Sequence, residues 1–395
     1  MPTIATTSRK KVIAILTHAS SYEFRHAELF NGFSQYAHEH GNFIIRHYDL
    51  SSIDIANAFA NCDGIIAHVP LGERTEQIKA TGLPIVDLTG EHEDDKVIIS
   101  VDVDAKRIGA IVAEKFLQRG FTSFALFNIS DNRFGRHLAN GFTATLEQAG
   151  HGCTTLLRRQ LLTAREEKSL TEKQLPKWAA GLPRHTAVFC HHDIMADQLL
   201  NACMKIGRNV PGDIAIMGLS NDVSVCSFAP ITLSSVDENQ RELGYAAMRI
   251  LAHVIDHPVR SKKRRTFLVR PGEIYEREST AVYPLDPPWL ANVLLKLDEN
   301  LNRDFSTPEL AEMACVSQST LQTAFNKAFG MSAGKYTTSI RMREARRLLS
   351  TSQLSAKEIA ARMNFSSLNY FCYAYQKFYG HPPKADSSHF CGGRN

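Results

Sequence analysis

Residues Ser306–Gly330 read STPELAEMACVSQSTLQTAFNKAFG, and Ser355–Gly380 read SAKEIAARMNFSSLNYFCYAYQKFYG. The two stretches follow one plan. In the first, Thr307 followed by Pro308 predicts an N-cap with proline at the first helical position. Leu310, Ala311 and Ala314 give this short helix its apolar face, CVS makes a tight turn, and Ser317 caps a second helix. Val316 and Leu321 are spaced as a hydrophobic staple. Leu321, Ala324, Phe325 and Ala328 form the buried side of the second helix. Ser319, Thr320, Gln322, Thr323, Asn326 and Lys327 lie on its other side. A merely solvated face usually carries Glu and Lys, whereas this one carries hydrogen-bonding groups.

The second stretch opens on a capping box, Ser355 with Glu358, with Leu354 and Ile359 at staple positions. Ile359, Ala360 and Met363 face inward and Phe365 ends the turn. Phe371, Tyr375 and Phe378 match Leu321, Phe325 and an apolar core. Leu321 to Phe371, Phe325 to Tyr375 and Gly330 to Gly380 are each fifty residues apart, but Val316 to Phe365 is forty-nine. The second turn therefore holds one extra residue. Between the copies, residues 332–353 read as one helix. Ile340, Ala345 and Leu348 or Leu349 face inward, with Arg341, Arg343, Arg346 and Arg347 around them.

Two such units on a basic connector suit duplex DNA. Each long helix fits a major groove, and a rigid connector holds the pair about one turn, roughly 34 Å, apart. The connector arginines, Arg341 among them, with Lys327, Lys377 and Lys384, are placed to contact phosphates. A plain helical bundle without a ligand is the competing reading, but duplicated polar faces are hard to motivate there. Charge agrees with DNA: residues 286–395 hold 13 Lys+Arg and 9 Asp+Glu, and the other 285 residues hold 32 of each. The excess positive charge belongs to the last quarter of the chain.

Residues 290–383 resemble the DNA-binding domain of the AraC/XylS family. ELAEMACVSQSTLQTAFNKAFG, RMREARRLL and EIAARMNFSSLNYFCYAYQKFYGHPPK carry the likeness. The resemblance implies that Ser319, Thr320, Gln322, Thr323 and Asn326 face bases in one groove. Leu368, Asn369, Tyr370 and Tyr373 would do so in the next. After Gly-x-x-Pro the family has an aromatic residue and then arginine, whereas this chain has Asp386 and Ser387.

The preceding residues read differently. KKVIAILT, NFIIRHYDL, CDGIIAHVP and GLPIVDL are strand-like runs separated by helical or loop stretches. VIISVDVDAKRIGAIVAEKFLQRGFTSFALFN is strand, helix, strand. Such alternation predicts an α/β fold of parallel, doubly wound sheets, with ligands beyond the carboxyl ends of the strands. No G-x-G-x-x-G, Walker-type loop, H-E-x-x-H or G-x-S-x-G occurs. Eight cysteines include no C-x-x-C pair, so zinc and redox motifs have no support. No cofactor and no metal are expected. His191-His192 reads as a ligand-pocket or solvent pair rather than a metal site, and SKKRR at 261–265 as a solvated loop. No apolar run approaches the roughly 18 residues of a membrane helix, and no signal-peptide core is visible. The expected location is the cytoplasm.

Residues 11–282 resemble the LacI/GalR-type sensor, a two-lobed periplasmic-binding-protein fold. VDVDAKRIGAIVAEKFLQRGF, HHDIMADQLLNACMKIGRNVPGDIAIMGL and RPGEIYEREST carry this likeness. The domain plan is a polar tail (1–9), the sensor (10–284), an all-α double helix-turn-helix domain (285–386) and a tail (387–395). A LacI-like sensor followed by an AraC-like reader is the arrangement of the xylose-operon activators, a group this chain resembles.

By that resemblance Asp193 matches a sugar-hydroxyl acceptor, His192 stands where the family has asparagine, and Ser220 stands at a sugar-binding aspartate position. Leu138 replaces a common arginine, with Arg136 two residues away. Tyr22, Phe24 and Arg25 of the first loop supply aromatic and polar contacts. Asp193 follows the strand AVFC and opens a helix, which predicts an ionised carboxylate at the crevice accepting two hydroxyl bonds. A small neutral sugar or polyol fits that reading, with D-xylose the leading guess. The implied partners are a double-stranded DNA operator, a second copy of the chain, and RNA polymerase if the protein activates. A sensor for a non-sugar small molecule remains open. An enzyme would need an activated nucleophile beside a base, which the sequence does not offer. A transport-type binding protein fits poorly with the DNA-type tail.

Overall fold

The computed structural model describes residues 9–17, 27–50, 52–69, 71–92, 94–129, 132–158, 162–258, 265–352 and 354–386. The first lobe runs β1 (Lys11–Thr17), α1 (Ala27–His40), β2 (Phe43–Asp49), α2 (Ile55–Ala58), β3 (Gly64–Ala67), α3 (Glu73–Ala80), β4 (Ile85–Asp87) and β5 (Ile98–Val103). The chain crosses through α4 (Ala105–Gln118) to the second lobe. There it makes β6 (Ser123–Ile129), α5 (Arg133–Gln148), β7 (Thr154–Arg158), α6 (Ala164–Ser169), α7 (Leu175–Gly181), β8 (Thr186–Cys190), α8 (Asp193–Lys205), β9 (Ile214–Leu219), α9 (Val223–Cys226) and β10 (Ser234–Val236). It returns through α10 (Gln240–Asp256) to β11 (Thr266–Val269) of the first sheet, then crosses again to β12 (Ile274–Tyr275) of the second.

The sheet orders are β11-β5-β4-β3-β1-β2 and β12-β10-β9-β8-β6-β7. Every pairing is parallel except β10 with β12. The strands are buried along their whole length in β3, β5, β8 and β9, as expected when helices cover both faces. Small residues set the helix packing: a Cβ on Gly141 of α5 would lie 1.9 Å from the Lys106 carbonyl oxygen of α4, and one on Gly32 of α1 would lie 2.0 Å from that of Arg241. Phe33, Phe116, Phe142 and Phe189 fill the core that these helices close. Each such side chain contributes about 1.5–3 kcal/mol.

Six helices follow: α11 (Pro288–Glu299), α12 (Thr307–Met313), α13 (Gln318–Phe329), α14 (Ala333–Thr351), α15 (Ala356–Arg362) and α16 (Leu368–Tyr379). The cap of α12 is Ser306, one residue before the expected Thr307, because Glu309 completes a capping box with it and Pro308 stands within the first turn. Ser317, Ser355 and Ser367 cap α13, α15 and α16. Cys315 and Asn364 take left-handed backbone in the two turns, so the extra residue of the second turn falls after Asn364. Phe378 is 43% exposed and does not join the core assigned to it; Phe371 and Tyr375 fill that core without it.

The connector α14 belongs to both units. Ala333, Tyr336 and Ile340 enter the core of the first, and Met342, Ala345, Leu348 and Leu349 that of the second. Tyr283 also lies in the first of these cores, and its hydroxyl donates to Asp298 of α11 at 2.8 Å. Arg119, at the end of α4, sits 4.8 Å over the Tyr283 ring and 3.3 Å from Asp298, and bonds Glu276. The helical module is therefore docked on the second lobe through buried charge.

Candidate nucleic-acid interface and effector crevice

The reading helices present polar and aromatic groups to solvent. On α13, Ser319, Thr320, Thr323 and Asn326 are exposed, and Lys327 beside them is exposed too. Thr323 donates its hydroxyl to the Ser319 carbonyl at 2.9 Å. On α16, Leu368, Asn369, Tyr370 and Tyr373 are all exposed, Tyr373 by 63%. Lys377 lies 6.0 Å from the Tyr373 ring and is itself exposed.

Two residues expected at the DNA face have other work. Gln322 is half-buried, and its side-chain oxygen accepts the Ala333 N–H at 3.2 Å. It ties the first reading helix to the start of α14. Arg341 is 6% exposed. It donates to the Met363 carbonyl at 2.7 Å, pairs with Asp304 at 3.3 Å and lies 4.6 Å over the Phe365 ring. It stitches the first unit to the second rather than facing phosphate, and so fixes the angle between the two reading helices. Arg347 is likewise engaged, with Glu344 at 2.7 Å and Glu273 of the second lobe at 2.5 Å. Asp386 accepts the Tyr375 hydroxyl at 2.7 Å and pairs with Arg346 at 3.2 Å. The departure from the family pattern thus carries its own bonds.

In the crevice, Asp193 does not sit as the sequence suggests. The side chain is fully buried. One carboxylate oxygen accepts the Ser235 hydroxyl at 2.5 Å and the other the Asp222 N–H at 2.7 Å. Gly218 makes the room: a Cβ there would lie 2.1 Å from the carboxylate. Burial pushes its carboxyl up to about 7, against the opposing pull of the Ser235 and Asp222 hydrogen bonds. Both carboxylate oxygens, expected to be open to ligand hydroxyls, thus already accept hydrogen bonds from the protein, and burial opposes the charge expected on the group. Asp193 braces α8 against the β9 and β10 ends. His192 is the N-cap of α8, its ring nitrogen accepting the Ile194 N–H at 3.3 Å. Its neighbour His191 bonds the Asn128 side chain at 2.5 Å and meets Phe134 edge-on.

Ser220 follows β9 with φ 103°, and Asn221 comes next with φ 52°. Consecutive left-handed residues that are not glycine cost of order 1–3 kcal/mol each, and such strain gathers at ligand sites. Leu138 is fully buried in the core, and Arg136 is exposed on α5. The arginine that reaches across the lobes is Arg133, which the sequence reading missed. Its backbone N–H donates to Glu91 at 2.6 Å, and its guanidinium lies 3.5 Å from Asp102. Its signal was the Asn132 cap, which accepts the Gly135 N–H and sets Arg133 at the start of α5.

Asp102 and Glu238 were missed as well, and both are almost wholly buried. Burial raises the Asp102 carboxyl to about 7, with Arg133 opposing and Asp87 and Glu238 reinforcing the rise. Tyr22, Phe24 and Arg25 lie outside the described residues. Among the described residues no group of His, Cys, Asp and Glu is arranged to hold a metal ion, and no helix is long and apolar enough to cross a membrane.

This fold and these two faces define a class: a two-lobed small-molecule-binding module joined to a double helix-turn-helix module. Residues 113–280 match the periplasmic binding protein-like domain, and residues 310–387 match a helix-turn-helix domain. The chain is homologous to xylose operon regulatory proteins. It is 24% identical to that of Escherichia coli K12 over 327 residues, 82% of this chain and 83% of the relative. It is 21% identical to that of Haemophilus influenzae, over 82% of this chain and 84% of that one. Among solved structures, a xylose-binding transcription activator superposes with a TM-score of 0.59 at 21% identity, covering 96% of this chain and 98% of that one. A LacI family regulator from Enterococcus faecium with bound ribose superposes at 0.53 and 19% identity, over 68% of this chain and 98% of that one. These likenesses show the fold.

Proposed function

We infer that this chain is a sequence-specific DNA-binding transcription regulator whose affinity for DNA answers to a small neutral sugar, D-xylose being the leading candidate. The observation that carries the reading is the pair of exposed polar faces on α13 and α16, held at one angle by α14 and Arg341 and joined to a two-lobed binding module. The xylose operon regulatory proteins share both modules with it. Glu91 and Asp102 stand around Arg133, carboxyl groups of the kind that bind sugar hydroxyls. The module acts by binding, not by catalysis, and works where its DNA is, in the cytoplasm. One reader spans two adjacent grooves, so a homodimer lengthens the site and raises specificity over competing sequences. Activation through contact with RNA polymerase completes the reading.

The test is gel retardation of a duplex carrying the protein's own upstream region, with and without D-xylose. A thermal-shift panel of pentoses, hexoses, polyols and sugar phosphates runs beside it. Specific retardation altered by a neutral sugar is the expected outcome. Retardation of no duplex, or stabilisation by a sugar phosphate alone, refutes the corresponding half. Sedimentation of a monomer both free and on DNA would refute the dimer.

A further inference from the structure

The face of α13 does not stand alone. A groove of about 380 Å³ runs between it and the start of α11, lined by Pro287, Trp289, Ser319, Thr320, Thr323 and Lys327. Trp289 is half-buried: it packs on the core of the first unit and also forms a wall of the groove. Nothing in the family-based reading assigned this residue a role.

The lining states what chemistry the groove accepts. It carries one cation, Lys327, and no carboxylate. It offers the Ser319 and Thr320 hydroxyls, each of which shares a hydrogen bond with Ser317, the Thr323 methyl group, and an indole that combines a flat apolar surface with one N–H donor. A sugar–phosphate strand combines an apolar sugar face with anionic oxygens, and so matches both. The floor of the groove is the very face that enters the major groove on the DNA-binding reading, on which this inference rests. A strand seated there continues the duplex that α13 reads.

We propose that Trp289 is a DNA-contacting residue that sets the register of the first reading unit. One strand's sugar–phosphate backbone lies between the indole and Lys327. Trp289 is also the second residue of α11, the helix whose Asp298 meets Arg119 and Tyr283 at the second lobe. The contact therefore carries the position of that lobe directly onto the DNA.

The chain has only two tryptophans, Trp178 and Trp289. Trp178 lies on α7 in the second lobe, 6.2 Å from Phe127, so Trp178→Phe leaves Trp289 as the sole indole emitter in an otherwise intact protein. A fluorophore-labelled duplex is first enriched from a random library on the full-length chain. Titration of the Trp178→Phe protein then follows duplex anisotropy and indole emission together. The expected result is a change in Trp289 emission, and lower access to acrylamide, that track the rise in anisotropy. Trp289→Ala raises Kd roughly tenfold, within the range of an aromatic contact to nucleic acid, and Trp289→Phe recovers part of the loss. Binding by anisotropy with unchanged emission and unchanged quenching overturns the proposal even if Trp289→Ala fails to fold. Enrichment of no duplex at all instead sinks the DNA-binding reading, and this inference with it.

Discussion

Arg119→Met tests the joint between the two modules. The guanidinium is buried, bonds Glu276, approaches Asp298 to 3.3 Å and covers the Tyr283 ring. Methionine keeps the stem and removes the charge. Removing one partner of a buried ion pair costs about 3–5 kcal/mol. Lys115 remains 2.7 Å from Glu276 and limits the damage. A second estimate comes from Glu276 itself. Against the cost of burial, Lys115 and Arg119 hold its carboxyl at about 2, below its ordinary 4.5. That gap corresponds to about 3 kcal/mol; Lys115 supplies at least as much of it as Arg119, and the side chain is a third exposed and partly screened, so about 1 kcal/mol falls to Arg119. The expected loss at pH 7 is therefore between about 1 and 4 kcal/mol.

The sign with pH follows. A depressed carboxyl stabilises the fold fully above about 4.5 and loses that contribution as pH falls toward about 2. The deficit of Arg119→Met should narrow as pH falls below 4.5, by at most about 1.4 kcal/mol per unit because Lys115 still holds Glu276. Urea unfolding followed by tryptophan emission, at pH 7 and near pH 3.5, measures both. Arg119→Lys, which keeps charge but not the planar fork, should fall between. A loss under about 1 kcal/mol at pH 7, or a deficit that does not narrow on acidification, would refute the view of this cluster as the docking element.

Other outcomes follow from single side chains. Asn369→Ala or Thr320→Ala should shift sequence preference at one base position by about 1–3 kcal/mol, seen by competition between duplexes. Gln322→Ala should instead weaken all duplexes alike and lower the melting temperature, since Gln322 holds the start of α14. Lys327→Ala should weaken binding to every sequence and reduce the slope of log K against log salt by about 1; an unchanged slope removes it from the phosphate contacts. Burial raises Asp102 and Asp193 from 3.8 to about 7. The folded state then binds protons more tightly than the unfolded chain between those values. Stability should fall as pH rises from about 4 to 7, and Asp193→Asn should flatten that slope; a melting temperature that rises across this window contradicts it.

The repeat, its caps and its buried faces were legible in the chain because they depend on neighbours three or four residues away. Ser317, Ser355, Leu321, Phe325 and Phe371 needed no distant information, and the alternation of apolar strands with helices implied parallel, doubly wound sheets in the same way, while their division into two lobes was implied by the family resemblance. The assignments that changed involve partners far along the chain. Asp193 looked like a ligand group because it opens a helix after a strand. Its partners Asp222 and Ser235 are 29 and 42 residues away, and they draw it inside. Arg133 meets Glu91 across 42 residues, and Arg341 meets Met363 across 22. Arg341 looked like a phosphate contact because local sequence reports charge but not solvent access. Whether a charged group faces water, a ligand or a partner is decided by which elements pack around it, and only the tertiary structure brings those together.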